Sequence, residues 1–430
     1  MSRPRPRNDA AGTGSGPSTA PSAHAAPTAP TAPTAPEAKA PGPTARALAP
    51  LYAAGFTTAF GAHSIAAGLG AESGGIGLGL LTFGVLLALY DVAEVILKPI
   101  FGSLSDRIGA KPVIVAGLAG FALASLVGTL GTAPLVIGIA RLGQGAAASA
   151  FSPASSAAVA RLAGPAAAGS HFGKYGSWKG LGYVLGPLLG AGLIWFGGFP
   201  ALFLSMAVIS AAAAVWVAIA MPRLPVLPRR RYTVADLLRQ STVRSFLVPT
   251  LSLAAATGAL GVAVGFLPLL GSTLQLPLIA SMAVVAVLAL ASTLIQPLAG
   301  KLRDTGRITS SAGMALGLAM VAAGIALLAA VPVPATLYAA AVVIGCGIGI
   351  ATPLGFAHLA STTPAERMGR TMGSAEIGRE MGDAGGPLIV GAIAAAASLA
   401  AGLWTLALLV AGAALLAGIL VRRGSGEVAD

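Results

Sequence analysis

Residues 99–112 read PIFGSLSDRIGAKP, and residues 297–307 read PLAGKLRDTGR. The two stretches share Pro99 with Pro297, Gly102 with Gly300, Leu104 with Leu302 and Asp106 with Asp304, an offset of 198 residues. The match continues at an offset of 200, where Gly145, Pro153, Gly169, Gly173, Gly182, Gly186 and Pro187 meet Gly345, Pro353, Gly369, Gly373, Gly382, Gly386 and Pro387. A period of nearly half the chain marks a duplicated architecture. In each copy an apolar run ends, a short charged turn follows, and a second apolar run begins.

Outward from this pair the chain is hydrophobic almost throughout. Of its 430 residues, 56% are hydrophobic and 9% charged, with mean hydropathy +0.84. Those values exclude an ordinary soluble protein. A membrane helix needs about 20 apolar residues, and twelve segments qualify: 47–70, 76–101, 112–131, 134–160, 170–196, 199–220, 245–270, 276–299, 308–330, 334–360, 370–397 and 401–421. The runs are continuous rather than alternating, and 58 Gly with 30 Pro suit close-packed, kinked membrane helices. The expected fold is an all-α membrane protein of twelve transmembrane helices in two pseudo-symmetric six-helix bundles, 45–221 and 245–421. A basic linker, 222–244, joins them. The Pro/Ala/Thr-rich residues 1–44 read as a disordered tail, and 422–430 as a second tail.

The net charge of +12 is topological. Alternate connections hold no Lys or Arg, whereas the others carry Arg107 and Lys111, Arg161 and Lys174, the linker arginines, Lys301, Arg303 and Arg307, and Arg367 and Arg370. Cationic loops stay in the cytoplasm, which places a multi-pass protein in the cell (inner or plasma) membrane with both termini cytoplasmic. Scattered loop cations without interleaved aromatics argue against nucleic acid as a partner. With Cys346 as the single cysteine, no intramolecular disulfide or metal cluster is expected, and no cofactor. No nucleotide-binding Gly-x-x-x-x-Gly-Lys loop and no nucleophile paired with a base are present, so neither ATP use nor an enzyme is indicated.

The turn Gly102-Ser-Leu-Ser-Asp106-Arg107-Ile-Gly109-Ala-Lys111 is similar to the signature loop of the major facilitator superfamily, with Ala110 where a second basic residue is common. Arg141-Leu-Gly-Gln144-Gly145 resembles that superfamily's Arg-x-x-Gln-Gly motif. Gly182, Gly186, Pro187 and Gly190 resemble the fifth-helix signature of its drug/proton antiporters, although such spacing also serves plain helix packing. The resemblance implies two rocking bundles, with helices one, four, seven and ten lining a central cavity. It also implies that the Asp106 loop meets the eleventh helix, with Gly102, Asp106, Arg107, Gly109 and Lys111 as a conformational latch. The other reading of that loop is a cap that fixes topology.

Charges inside the apolar runs ask for a role, because each costs roughly 2.5–3.5 kcal/mol near the bilayer centre. Asp91, Glu94 and Lys98 share one stripe of the second helix, while their repeat partners Ala289, Ser292 and Gln296 are uncharged. Glu376, Arg379, Glu380 and Asp383 form a stripe on the eleventh. Asp91, Glu94 and Arg141 are candidates for proton coupling; the eleventh-helix stripe is read either as an interface salt-bridge set or as a direct proton site. His63, Gln144 and His358 are cavity candidates. The functional expectation is a monomeric secondary transporter that moves a small amphipathic molecule or drug outward against protons. An importer or uniporter of the same fold, or a non-transporting receptor or lipid-handling scaffold, are the alternatives.

Overall fold

In the computed structural model, residues 45–72, 80–226 and 243–424 are described. The tails 1–44 and 425–430 and most of the basic linker lie outside them. The described residues are helical almost throughout and include no strand. They form twelve helices: α1 (Ala45–Glu72), α2 (Leu80–Ile108), α3 (Ala110–Gly128), then three helices within Pro134–Ala220, followed by α7 (Arg244–Thr273), α8 (Leu278–Asp304), α9 (Ser310–Ala330), α10 (Pro334–Thr362), α11 (Met368–Ala396) and α12 (Leu399–Gly424). The stretch Pro134–Ala220 divides into α4 (134–163), α5 (165–196) and α6 (199–220), because Gly164 (φ 67°) and Gly198 (φ 69°) leave helical geometry. Both breaks have a local cause. The left-handed region favours glycine, and a proline follows each within two residues, Pro165 and Pro200, to bar continuation of the turn.

The repeat visible in the sequence is a repeat of contacts. Gly145 of α4 lies so close to α2 that an added Cβ would collide with the Tyr90 carbonyl; its partner Gly345 of α10 meets the Leu288 carbonyl of α8 in the same way. Pro134 and Pro334 open α4 and α10, at the helix start where a missing N–H costs nothing. Six hydroxyls in the apolar segments are satisfied within their own helices: Thr57, Thr58, Ser64, Ser125, Thr250 and Ser252 each donate to the carbonyl four residues back. In hydrocarbon no water is available to do this.

One apolar cluster fills the first half and reaches across to Phe356, Met372 and Ala375 of the second. Another, from Ala256 to Ala414, stays within α7–α12. Outside, α6 presents the exposed stripe Leu204, Val208, Val215 and Ile219, a surface suited to lipid tails. The lengths and hydropathies of α3, the α4–α6 stretch, α7, α8, α9, α10 and α12 suffice for crossing a membrane. In α11 that apolar character is interrupted by Glu376, Arg379, Glu380 and Asp383, and these residues build the centre of the molecule.

Candidate functional site

At the end of the molecule that carries the basic turns, the two halves are tied by crossed, symmetry-related contacts. Asp106, at the close of α2, accepts the backbone N–H groups of Gly369 (2.8 Å) and Arg370 (2.9 Å) at the head of α11. Asp304, at the close of α8, accepts those of Gly169 (2.9 Å) and Ser170 (2.6 Å) on α5, and the Ser170 hydroxyl as well. A carboxylate at a helix head suits the exposed N–H groups and the positive end of the dipole there. Burial pushes the Asp106 carboxyl up to about 6, against the pull of its two amide hydrogen bonds. Arg303 reaches the Pro165 carbonyl at 2.5 Å, beside Asp304. Glycines let the backbones touch at both crossings: an added Cβ on Gly102 would sit 2.8 Å from the Gly369 carbonyl, and one on Gly300 would overlap the Gly169 carbonyl.

Of the remaining residues in this loop, Lys111 donates to the Met221 carbonyl (2.7 Å), Arg107 is exposed and Gly109 forms the turn at φ 97°. Asp304 was not among the sequence candidates. Its match to Asp106 in the repeat was the signal that identifies it.

Midway along the helices, α2 and α11 meet through charge. Lys98 Nζ, fully buried, lies 2.8 Å from Glu94 Oε1, 3.0 Å from Glu380 Oε1 and 3.7 Å from Glu376 Oε2. Arg379 Nη2 lies 2.7 Å from Glu380 Oε1, and its Nη1 contacts the Tyr183 hydroxyl at 3.3 Å. Glu376 is also fully buried and accepts the hydroxyls of Ser152 and Ser156 of α4, each at 2.7 Å. Three carboxylates thus share two cations within ion-pair distance. Asp91, one turn away on α2, is exposed, with Arg141, Glu380 and Lys98 as its charged neighbours. Asp383 packs by Gly261 of α7.

Arg141 has Asp91 and Glu94 as its acidic neighbours and makes no direct ion pair among the described residues. Its guanidinium lies 4.4 Å from the Tyr90 ring centroid, and its buried Nε and Nη1 have no hydrogen-bond partner. The cation rests on an aromatic face instead.

Next to the charged cluster lies a partly open cavity. Its walls come from α5, α7, α8, α10 and α11, so helices one and four, expected as lining from the family resemblance, do not contribute. The reason is local: Gly182, Gly186 and Gly190 bring α5 hard against residues 56–64 of α1, which sets α1 behind α5. Gly382 and Gly386 pack α11 on α7 at Ala254 and Gly258 in the same manner. Toward the basic end Phe172 and Phe356 stack with centroids 5.5 Å apart.

The other cavity candidates lie off this wall. His63 Nδ1 donates to the Ala59 carbonyl (3.0 Å), and its ring meets that of the lining residue Tyr183 edge-on at 4.4 Å. Gln144 is fully buried and donates to Ser125. His358 is half-buried toward the end of α10, where its carbonyl accepts from Ser361 and Thr362. His171 of α5 meets the Tyr52 hydroxyl at 2.7 Å. Among the described residues no group of His, Cys, Asp and Glu has the arrangement of a metal site.

The model of the Major Facilitator Superfamily matches residues 47–375. The chain belongs to that superfamily. The solved structures similar to it agree on the fold: the human organic anion transporter MFSD10 aligns with a TM-score of 0.74 at 20% identity, covering 86% of this chain and 99% of that one. The superfamily transporter FucP in the outward conformation aligns at 0.72 and 14% identity, covering 86% and 98%. Sequence relatives include a triacylglyceride transporter of Mycolicibacterium smegmatis (34% identical over 31% of this chain and 24% of the relative). The class H tetracycline resistance protein of Pasteurella multocida is 35% identical over 25% of this chain and 27% of its own. The chain matches about a quarter of the length of these relatives. As a member of the superfamily it is a multi-pass membrane protein.

Proposed function

We propose that this transporter is a proton-coupled exporter of small amphipathic compounds, working as a monomer by alternating access. The observation that carries the reading is the buried Lys98 cluster, where Glu94, Glu376 and Glu380 outnumber Lys98 and Arg379 by one. In a medium that penalises net charge, the surplus carboxylate is a seat for a proton. Glu94 and the neighbouring exposed Asp91 are the residues to which we assign it, with Arg141 on Tyr90 as the cation that favours release when the helices shift. Proton and substrate sites are adjacent, because Arg379 belongs both to the cluster and to the cavity wall.

The Asp106 and Asp304 contacts serve as paired latches. Positive-inside orientation assigns their end of the molecule to the cytoplasm, so the latched form is the outward-facing one. Rocking of the bundles 45–221 and 245–421, joined through 222–244, would break both latches and part Phe172 from Phe356. The tetracycline resistance relatives, and a multidrug resistance protein of Erwinia billingiae 33% identical over 31% of this chain and 32% of its own, support export as the direction.

Everted vesicles carrying a pH-sensitive dye test the coupling. With an inside-acid gradient, added tetracycline or ethidium should alkalinise the lumen. Asp91→Asn combined with Glu94→Gln should cut that response at least tenfold. An undiminished response in the double variant would remove Asp91 and Glu94 from the coupling.

A further inference from the structure

The repeat is broken at the cavity, and the break has a chemical sense. Glu376 and Glu380 of α11 correspond to Gly176 and Gly180 of α5, whereas the cation between them is kept: Arg379 corresponds to Lys179. On α8, Ser292 and Gln296 replace Glu94 and Lys98. Gly176, Lys179, Gly180, Ser292 and Gln296 all line the cavity. Gly176 and Gly180 press α5 against Gln296 and Thr293 of α8, where an added Cβ would collide, and Lys179 has lost the acids that its counterpart keeps on its own helix.

Lys179 is 8% exposed and makes no direct ion pair or hydrogen bond among the described residues, with Glu376 and Glu380 as its acidic neighbours at longer range and its Nζ 5.8 Å from the Tyr175 ring centroid. Three more donors on the wall are buried without a partner, Tyr175 Oη, Thr352 Oγ1 and Arg379 Nε, beside one acceptor, Gln296 Oε1. No acidic residue lines the cavity. Its floor, by contrast, is the stacked pair Phe172 and Phe356.

From this we infer that the cavity takes an organic anion, a carboxylate or sulfonate attached to a flat apolar body. The headgroup pairs with Lys179 and the donors of Thr352 and Arg379, while the body lies against Phe172 and Phe356. Donors aimed into an apolar pocket, with a buried cation among them, favour a negative group over a neutral or positive one. The inference rests on the reading of this cavity as the substrate seat, and it does not depend on proton coupling.

Equilibrium dialysis of the full-length protein in nanodiscs tests it, using naphthalene-2-sulfonate, 2-naphthylmethanol and 2-naphthyl-trimethylammonium as probes of one shape and three charges. The sulfonate should bind at least tenfold more tightly than the ammonium. Lys179→Gln should weaken sulfonate binding at least tenfold and leave the alcohol unchanged, and Lys179→Arg should retain most of the sulfonate affinity. Equal or tighter binding of the ammonium by the unaltered protein overturns the inference whether or not the variants fold. So does unchanged sulfonate binding in a Lys179→Gln protein whose thermal unfolding matches the parent. Binding needs no gradient, so sulfonate selectivity without proton movement would sink the export reading alone, and proton-driven export of cations without sulfonate binding would sink this one alone.

Discussion

Lys98 shows how a single residue binds the two halves. Its ammonium has no exposed surface and three carboxylates around it, two of them on α11. Breaking a buried pair by removing one partner costs about 3–5 kcal/mol, because the surviving charges stay buried. Lys98→Met should therefore lower the thermal unfolding midpoint of the purified protein and reduce its recovery as a single species in size-exclusion chromatography. Glu94→Gln removes only the surplus acid and should leave the midpoint close to that of the parent. The sequence reading paired Lys98 with Glu94 because they sit on one helix stripe. It had no means of adding Glu376 and Glu380, which come from 278 and 282 residues away and meet Lys98 only through the crossing of two helices.

Among elements, the alternating-access proposal places the change of state at the α2–α11 and α5–α8 crossings. Each is built from glycine at the contact and a carboxylate capping the other helix, so widening the contact should open it. Gly300→Val places branched carbon where the Gly169 carbonyl already touches. The expected outcome is loss of the latched state, seen as a longer distance between spin labels on Ile108→Cys and Glu366→Cys in a protein with Cys346 replaced. Asp106 adds a pH dependence to the same readout. Its carboxyl is pushed up to about 6 by burial in the latched form, whereas a solvated aspartate titrates near 3.9. The latched form therefore binds the proton more tightly, and acid favours it: the stabilisation is complete below the solvated value and is lost as pH rises through about 6. Between pH 7 and pH 5 the short-distance population should grow in the parent, and in Asp106→Asn that growth should be absent.

For the whole molecule, the architecture was legible because it is written twice. The offset of about 200 residues, the apolar run lengths and the alternating basic turns led to twelve helices and two bundles, and the helices found differ from the expected spans by a few residues at their ends. Even the latch partners were present as a pattern, Asp106 with Asp304 and Gly169 with Gly369. What was not legible was the place where the copies differ in three dimensions. Gly176 and Gly180, which stand where α11 has Glu376 and Glu380, press α5 onto Gln296 and Thr293 of α8, and which helices line a cavity depends on such close approaches between chain segments, which composition does not encode. The orientation in the membrane has its own test. Single cysteines placed beside Lys174, Arg307 and Glu366 should react with an impermeant thiol reagent in everted vesicles, and cysteines near Thr129, Gln275 and Val333 should react only from the opposite face.

Both carboxylates at the basic end grip main-chain N–H groups, and this has a genetic corollary. The donors to Asp106 are the backbone N–H groups of positions 369 and 370, and at Gly369 any side chain would collide with α2, so a lesion at Asp106 has no complementary side chain to restore it. Revertants selected after such a lesion should arise where the helices press together, by trimming or refilling the crossings, and should recur in both copies of the repeat.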